Sequence, residues 1–424
     1  MSVLIKNGRV IDPATGLDDI LDIFIENGTI QGMEKGLSVS AARTIDAEGL
    51  VVVPGLVDMH CHLREPGYEY KEDIESGTKS ALAGGFTSIA CMANTNPVMD
   101  TGAQITFVKS RSAAVGHVHV YPIGAVSQGL KGEQLSEMGD MKNAGAVAVS
   151  DDGKPVDNPS LMRRALIYAN MMQLPLISHA EERRLLDGGT MNEGLTATVM
   201  GLRGISNAVE EAMVARDILI AEAEGVPIHI AHLSTRGSVE LVRQAKKRGV
   251  QVTCETCPHY FSLTEEAVRD YDTNAKMNPP LRTAADVEAI KIGLADGTID
   301  AIATDHAPHH IDDKLCEFEY AANGIIGFET ALPLGITHLV RQNILSLPAL
   351  IQKMTVNPAD ILRIPKGRIA VDGMADLTIF DASAQYEITK ESIKSKAKNT
   401  PFIGSKVYGK VLYTIVEGKV TAWE

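Results

Sequence analysis

Eight short apolar runs, most of them followed by a segment with helical spacing, predict an α/β fold class built around a closed (β/α)8 (TIM) barrel. The runs are GLVDMHCH, FTSIACMAN, VHVYPIGAV, AVAVSDD, LPLISHA, VPIHIAHLS, VQVTCETC and IDAIATD. Near-continuous apolar strands that alternate with helices are typical of a parallel sheet covered by helices, and eight such units close a barrel. Segments 206–225 and 235–250 carry apolar residues three and four positions apart, as amphipathic helices do.

Both ends of the chain are predicted to form β structure. Asn27-Gly28 lies between two alternating runs, which is typical of a two-residue hairpin turn, and Glu417-Gly418 occupies a similar position near the other end. Segments at opposite ends can pair only if the middle of the chain returns to its starting point, as a closed barrel does. The predicted domains are a small β-sandwich built from residues 1–53 plus 366–424 and a barrel of residues 54–365.

Length and composition narrow the class of protein. A chain of 424 residues is too long for one small core, and its net charge of −14 argues against binding a polyanion. We expect no signal peptide, because the first residues lack a long apolar core followed by a cleavage site, and no apolar stretch approaches the roughly 20 residues that a membrane helix needs. The five cysteines are scattered, which suits reduced thiols. We therefore expect a cytoplasmic protein that binds neither nucleic acid nor a membrane.

Residues that bind metals recur where the predicted strands end, which is where the active site of such a barrel lies. They are His60, His62, the pair Asp151-Asp152, His179, His232 and Asp305. His60 and His62 are two positions apart, so both project to the same side of a strand. Four histidines with carboxylates suit a borderline cation such as zinc, and six protein ligands are too many for one catalytic zinc. Two metals that share a carboxylate fit this count better, although spacing alone does not choose between Asp151 and Asp152.

Further polar residues near the strand ends suggest what the metals act on. Arg64 follows the histidine pair directly, and its planar guanidinium can hold a carboxylate. Asn94, Asn278 and His309 are placed to add hydrogen bonds. These residues favour a substrate that carries a carboxylate.

Other histidines and cysteines are expected to be structural. His229 lies three positions before His232 and is predicted to face the helices, and His117, His119 and His338 fall away from the strand ends. Cys254 and Cys257 are predicted to be small core residues, because no second such pair accompanies them.

Six motifs together resemble one family. They are VDMHCHLREPG (57–67), DDGKPV (151–156), SHAEE (178–182), HIAHLST (229–235), KMNPPLR (276–282) and ATDHAPHH (303–310). In this order they are similar to the dihydroorotases of the amidohydrolase superfamily, and most similar to the bacterial type in which an aspartate, not a carboxylated lysine, bridges the metals. The likeness runs over essentially the whole chain.

This resemblance implies a zinc enzyme with two ions per subunit that interconverts N-carbamoyl-L-aspartate and L-dihydroorotate, the third step of de novo pyrimidine (UMP) biosynthesis. The implied roles are one zinc on His60 and His62, the other on His179 and His232, Asp152 as the bridge, and Asp305 as ligand of the first zinc and proton shuttle. The implied substrate contacts are His62, Arg64, Asn94 and His309, with Asn278 on the ring and the backbone of Asn323 and Gly324 in a covering loop.

Two other interpretations remain at this point. Another cyclic amidase, a hydantoinase or allantoinase, usually has a carboxylated lysine on strand four, and this chain has no lysine there before Lys154. A non-catalytic dihydroorotase-like partner of aspartate transcarbamoylase would have lost metal histidines, and all six implied ligands are present here. The resemblance is also compatible with a homodimer and with association of an active enzyme with aspartate transcarbamoylase.

Overall fold

The structure, a computed structural model, describes residues 2–423 of the chain. In chain order its strands are β1 (Ser2–Asp12), β2 (Leu17–Glu26), β3 (Thr29–Glu34), β4 (Arg43–Asp46), β5 (Val51–Pro54), β6 (Leu56–Cys61), β7 (Phe86–Cys91), β8 (His119–Gly124), β9 (Ala148–Ser150), β10 (Leu176–Ser178), β11 (Met191–Asn192), β12 (Gly204–Ile205), β13 (Ile228–Ile230), β14 (Val252–Thr256), β15 (Ala301–Ile302), β16 (Leu377–Glu387), β17 (Lys406–Val416) and β18 (Lys419–Ala422).

Helices separate most of the central strands. They are α1 (Ile74–Ala83), α2 (Gly102–Val115), α3 (Met138–Ala144), α4 (Pro159–Met171), α5 (Leu195–Met200), α6 (Ala208–Glu224), α7 (Arg236–Lys247), α8 (Pro258–Ser262), α9 (Ala284–Ala295), α10 (Phe328–Gly335), α11 (Leu347–Met354) and α12 (Val356–Leu362). Short 3-10 turns occupy Gln128–Leu130, Arg183–Leu185, Glu265–Tyr271, Thr273–Ala275 and Ile311–Asp313, and a π-helical turn spans Ile336–Val340. Each of the eight predicted apolar runs contains one of the parallel strands, and the two predicted helical segments contain α6 and α7.

Eight parallel strands form the central sheet, in the order β6-β7-β8-β9-β10-β13-β14-β15. Contacts between the first and last strands bring its edges together. Cys61 forms a parallel bridge with His306, and the Asp58 carboxylate accepts hydrogen bonds from the Thr304 N–H at 2.8 Å and the Thr304 hydroxyl at 2.7 Å. The sheet is therefore a nearly closed barrel, and its strand ends converge on one mouth.

The terminal segments form a second, mostly antiparallel sheet in the order β18-β17-β16-β5-β1-β2-β3, with β4 beside β1. Both predicted hairpins are present. Asn27 and Gly28 turn between β2 and β3 with φ of 51° and 87°, and Glu417 and Gly418 turn between β17 and β18 with φ of 50° and 75°. This sheet has its own apolar core, which includes Val3, Ile23, Ile379 and Ile415.

The predicted α/β fold class, a (β/α)8 barrel with a separate β-rich region, is confirmed. The exact domain boundaries and the sandwich form of the terminal region stay predictions, and residues 1 and 424 of that region lie outside the described residues. Among residues 2–423, no helix is both long enough and apolar enough to cross a membrane.

Candidate metal centre and substrate cavity

The histidine pair of the first barrel strand meets two carboxylates at the mouth of the barrel. The Nε2 atoms of His60 and His62 lie 3.5 Å and 3.2 Å from Asp305 Oδ1. The same two nitrogens lie 3.3 Å and 3.4 Å from the two carboxylate oxygens of Asp152. Strands that are far apart in sequence thus place two imidazoles and two carboxylates around one point.

A second pair of histidines lies on the other side of Asp152. His179 Nδ1 is 2.7 Å from His232 Nε2, and these nitrogens lie 3.4 Å and 3.6 Å from Asp152 Oδ1. Asp152 therefore stands between the two histidine pairs. Asp151 does not, because its carboxylate accepts hydrogen bonds from the backbone N–H groups of Val126 and Ser127 at 2.7 Å and 3.0 Å.

The charges in this cluster depend on one another. Burial by itself raises the pKa of the Asp152 carboxyl, but His60, His179 and His232 hold that pKa well below its usual range. Burial also raises the pKa of Asp305, and the neighbouring His60 and His62 again lower it overall. Both carboxylates are therefore ionised and need positive charge beside them.

A divalent cation fits this donor set. His60 Nε2 and Asp152 Oδ1 are buried and have no hydrogen-bond partner among the described residues, although they face each other across the cluster. His60, His62 and Asp305 place donor atoms within 4.8 Å of one another, and so do His60, Asp152 and His232. Imidazole nitrogens and carboxylate oxygens are the ligands that zinc and similar ions take in proteins.

Glu255, at the end of β14, is a site residue that the sequence analysis missed. Its Oε1 lies 2.7 Å from His60 Nδ1, and its Oε2 lies 3.4 Å from His229 Nε2. Burial raises the pKa of Glu255, but the contacts with His229 and His60 outweigh burial and lower it to about 2. Glu255 lies near the end of a predicted strand, and this position, which identified the predicted site residues, could also have identified it.

The prediction that His229 faces the helices is wrong. His229 pairs in register with Thr253, its Nδ1 lies 2.8 Å from the Thr253 hydroxyl, and Thr253 shares a strand face with Glu255. His229 therefore points into the barrel, below His60. The prediction counted alternation through to His232, but β13 ends at Ile230 and His232 adopts a φ of 34°, so the alternation does not continue to it.

One cavity of about 210 Å³ opens above this cluster. It is lined by His62, Arg64, Asn94, Asp152, Gly153, His179, His232, Asn278, Asp305, Ala307, His309, Asn323 and Gly324. The structure thus brings every predicted site residue to this cavity except His60, which lies fully buried beneath it. Its volume is below the usual range for ligand pockets, so it suits a small substrate.

One corner of the cavity is rich in nitrogen donors. Arg64 Nε donates to the Pro308 carbonyl at 3.1 Å, and Arg64 Nη2 lies 3.4 Å from His309 Nε2. Lys71, which the sequence analysis missed, places its Nζ 3.3 Å from His309 Nδ1. Burial, followed by the charges of Arg64 and Lys71, lowers the pKa of His309 to about 2, so this imidazole is neutral. Lys71 also pairs with Asp313 at 3.1 Å, so the net positive charge of the corner comes from Arg64, which suits an anionic group.

The two predicted asparagines make protein contacts at the cavity wall. Asn94 Oδ1 lies 2.9 Å from His62 Nδ1, so it orients one of the histidines that could hold a metal ion. Asn278 Nδ2 donates to Glu181 Oε1 at 2.7 Å, and Glu181 is a further residue that the sequence analysis did not single out.

Three site residues adopt a backbone conformation that side chains other than glycine rarely take. The φ angles of Arg64, His232 and Asp305 are 64°, 34° and 47°. Such conformations cost free energy and tend to occur where a functional geometry requires them. Here they turn the chain directly after β6, β13 and β15, so that these side chains point into the cavity mouth.

A buried lysine fixes the loop that carries Asn323 and Gly324. Lys314 Nζ donates to the carbonyls of Thr273, Lys276 and Ala322 at 3.0, 3.2 and 2.6 Å. The Asn323 carbonyl in turn lies 2.8 Å from His309 Nε2. This loop is therefore tied to the cavity wall, and nothing in the sequence around Lys314 indicated this role.

Arg282, the last residue of the KMNPPLR motif, connects segments that follow two of the barrel strands, β10 and β13. Its side chain is 2% exposed and donates to the Ser234 hydroxyl at 3.1 Å, to Asn192 Oδ1 at 3.1 Å and to the Ile205 carbonyl at 3.0 Å. Ser234 follows His232 closely, so this arginine holds the loop after β13 in place.

Replacing Arg282 with methionine is expected to lower the free energy of unfolding by about 3–5 kcal/mol, because it leaves buried acceptors without their donor. The measurement is urea-induced unfolding. The matched control is Arg243→Met, which removes pairs with Glu240 and Asp296 at the protein surface and is expected to cost about 1 kcal/mol or less. Equal losses for the two variants would contradict the supporting role of Arg282.

The two cysteines of the CxxC pair lie in the interior. Cys254 and Cys257 are both fully buried, and burial raises the pKa of each thiol. Cys254 Sγ donates to the Thr298 carbonyl at 3.3 Å, while the Cys257 thiol lies within 4.8 Å of donor atoms of His259 and Asp305. Neither is disulfide-bonded.

Comparison with known proteins places the chain in a family. Residues 49–238 match a family model described as dihydro-orotase-like, and residues 207–422 match the amidohydrolase family. A curated dihydroorotase of Acetivibrio thermocellus is 58% identical over 422 residues, covering 100% of this chain and 99% of that protein. A dihydroorotase of Geobacter metallireducens is 56% identical over 421 residues, covering 99% of each.

Solved structures with the same fold include an L-hydantoinase (dihydropyrimidinase) from Arthrobacter aurescens. It matches with a TM-score of 0.89 and 27% identity, over 99% of this chain and 96% of that one. The fold is thus shared with several cyclic amidases, whereas the sequence is much more similar to one of them. The chain belongs to the dihydroorotase family of the amidohydrolases.

Proposed function

We propose that this protein is a dihydroorotase that interconverts N-carbamoyl-L-aspartate and L-dihydroorotate in pyrimidine biosynthesis. One structural observation supports this activity in addition to the family membership. A single cavity of about 210 Å³ joins a cluster of metal-type donors to a corner made by Arg64 and His309. A small ring with a carboxylate needs both features, the first at its amide and the second at its acid group.

We further propose that two zinc ions occupy the cluster. His60, His62 and Asp305 would hold one, His179 and His232 the other, and Asp152 both; the unpartnered Asp152 Oδ1 and His60 Nε2 support this assignment. When bound, such ions polarise a carbonyl and lower the pKa of water from about 15.7 towards 7. The protein positions the substrate and transfers the proton.

Asp305 is proposed as the group that moves the proton. Its carboxylate is ionised, because His60 and His62 offset the effect of burial on its pKa. In hydrolysis it accepts a proton from the attacking water and returns it to the ring nitrogen as the carbon–nitrogen bond breaks. The second proton of that water is taken up by Asp305 when the new carboxyl group ionises. Ring closure is the reverse: the nitrogen of carbamoyl aspartate attacks its side-chain carboxylate, the carbon–oxygen bond breaks, and the oxygen leaves as water with one proton from the nitrogen and one from the protonated Asp305 carboxyl.

Arg64 is proposed to bind the substrate carboxylate. The hydrogen bond from its Nε to Pro308 fixes the plane of the guanidinium at the cavity wall. Asn94 and His309 line the same cavity, and Lys71, which pairs with Asp313, contacts His309 from behind. Asn278 and the backbone of Asn323 and Gly324 are proposed to contact the ring.

The variant Arg64→Met is expected to lower kcat/KM for dihydroorotate by roughly 10- to 100-fold, the range for losing a hydrogen bond to a charged group. Hydrolysis of dihydrouracil, the same ring without the carboxylate, is expected to change little. Steady-state kinetics on both rings measures the difference. Arg184→Met, at an exposed arginine outside the cavity, serves as the control. Equal losses on both rings would exclude a carboxylate contact.

The fold shared with the L-hydantoinase makes another cyclic amidase the second candidate function. Arg64 and the absence of a lysine in β9 favour dihydroorotate over a ring without an acid group. A preference of the wild-type protein for hydantoin or allantoin over dihydroorotate would overturn the proposal.

The proposal extends to partners and location. A homodimer and a complex with aspartate transcarbamoylase are both proposed, and the large exposed side chains of Leu195, Leu315 and Tyr320 are candidate contacts for either partner. Light scattering on the purified chain, alone and mixed with that transcarbamoylase, measures both. The five free cysteines support a cytoplasmic location.

A further inference from the structure

A carboxylate contacts the metal cluster from inside the barrel, on the side away from the substrate cavity. Glu255 and His60 are both fully buried, and Glu255 Oε1 lies 2.7 Å from His60 Nδ1. An ionised carboxylate can only accept a hydrogen bond, so His60 Nδ1 carries the proton. The other ring nitrogen, His60 Nε2, faces Asp152 and Asp305, so its lone pair is the one available to a cation at the proposed position.

His229 holds Glu255 from the other direction. Its Nε2 lies 3.4 Å from Glu255 Oε2, and its Nδ1 lies 2.8 Å from the Thr253 hydroxyl. Glu255 is therefore placed between two imidazoles, one of which belongs to the metal cluster. His229 and Thr253 also line a separate cavity at the other end of the barrel strands, of about 360 Å³.

No other basic side chain explains why this carboxylate is buried. Among the described residues, the ion pairs of Glu255 are with His60 and His229 alone. A buried anion needs charge or hydrogen bonds to offset its lost hydration. A cation on His60 Nε2 would supply that charge through the imidazole.

We propose that Glu255 is a positioning residue of the metal centre, which selects the tautomer of His60 and strengthens its Nε2 as a ligand, with His229 holding Glu255 in place. The inference rests on the proposed metal centre. Carboxylate partners of metal-binding histidines typically change metal affinity by about 10- to 100-fold when they are replaced. Glu255 contacts His60 but neither His179 nor His232, so its effect is confined to one of the two metal positions.

The test measures zinc affinity on protein stripped of metal, by competition with a chromophoric chelator. Glu255→Gln keeps the size of the side chain and one acceptor oxygen but removes the charge. The expected result is zinc binding weakened by about 10- to 100-fold at the position that uses His60, with the other position unchanged. Glu255→Asp, which keeps the charge on a shorter side chain, is expected to lie between Glu255→Gln and the wild type.

Two further variants separate positioning from general stability. His229→Gln is expected to weaken the same position by a smaller factor. Asp22→Asn removes another buried carboxylate, in the terminal sheet, where it accepts from the N–H groups of Asn7 and Leu37 at 2.8 Å each, and it is expected to leave zinc binding unchanged. The thermal midpoint of each metal-free variant is recorded beside its affinity.

The outcomes are distinguishable. Wild-type zinc affinity at both positions in Glu255→Gln would overturn the inference and leave the proposed metal centre intact. An equal loss at both positions that follows the thermal midpoint would show a structural role only, and would also overturn it. A wild-type protein that binds no zinc would remove the metal centre itself. If Glu255→Gln does not fold, the same measurement is made on Glu255→Asp and His229→Gln. Zinc binding that is weakened only at the position that uses His60 supports the inference, and any other result overturns it.

Discussion

Replacing Asp305 with asparagine is expected to lower kcat for hydrolysis of dihydroorotate by several orders of magnitude while the fold is retained. Proton transfer by a positioned side chain contributes about 10²–10⁴-fold, and asparagine cannot accept the proton. Asp305 Oδ1 lies 3.2 Å from His62 Nε2, so its loss also weakens metal binding at that position to some degree. Turnover is measured together with metal content, and circular dichroism reports the fold.

The matched control is Asp300→Asn. Asp300 directly precedes β15, the strand that Asp305 follows, and its carboxylate bonds Lys246 Nζ at 2.7 Å instead of facing the cavity. This variant is expected to keep near-normal turnover. A rate for Asp305→Asn within tenfold of the wild type at equal metal content would exclude Asp305 as the proton shuttle.

The proposed role of Asp305 in proton transfer determines how the rates of hydrolysis and ring closure depend on pH. Hydrolysis requires the ionised Asp305 carboxylate and ring closure requires the protonated form, so ring closure is favoured at lower pH. The neighbouring histidines lower the pKa of Asp305, which makes the ionised form dominant at neutral pH. A rate of ring closure that rises steadily with pH would contradict the assignment.

Removing the metal is expected to abolish turnover in both directions. Without a cation, the charges of Asp152 and Asp305 are offset by the neighbouring histidines and by Arg64, and the groups proposed to activate water lose their common partner. Dialysis against a chelator, followed by titration with zinc, measures the recovery. Full activity is expected at about two equivalents per chain, and the thermal midpoint is expected to rise with added zinc, since a ligand that binds only the folded state stabilises it.

A mutation at the bridging position provides the control for that titration. Asp152→Asn removes the carboxylate that stands between the two histidine pairs, so recovery with zinc is expected to be incomplete at any concentration. Activity that survives exhaustive chelation, or saturation at one equivalent, would contradict a two-metal centre.

Much of the fold was predictable because its signals are local. Each barrel strand is a short run of apolar residues such as Leu56–Cys61, and both hairpins have a glycine at a position with positive φ. Strand ends gather at one mouth in any closed barrel, so the position of His60, His179 or Asp305 at the end of a run was enough to assign these residues to the site.

Other features needed the structure because they depend on contacts between distant segments. Glu255 is separated from His60 by 195 residues, and only strand order and register bring their side chains together. Asp151 and Asp152 look equivalent in the sequence, and the distinction arises because the backbone N–H groups of Val126 and Ser127 bind the first of them.

The remaining features that the sequence did not predict lie where the backbone is irregular. The error at His229 arose because regular alternation ends at Ile230, two residues before His232, which lines the cavity. Likewise, the loop lysine Lys314 has no pattern around it, and its three carbonyl partners come from segments that the fold assembles. The amino-acid sequence by itself determined the barrel and the chemical types at its mouth, because strand period, apolar burial and turn residues act over a few positions. The tertiary structure decided which of those side chains face one another, because that depends on register, strained φ angles and buried hydrogen bonds across the closed sheet.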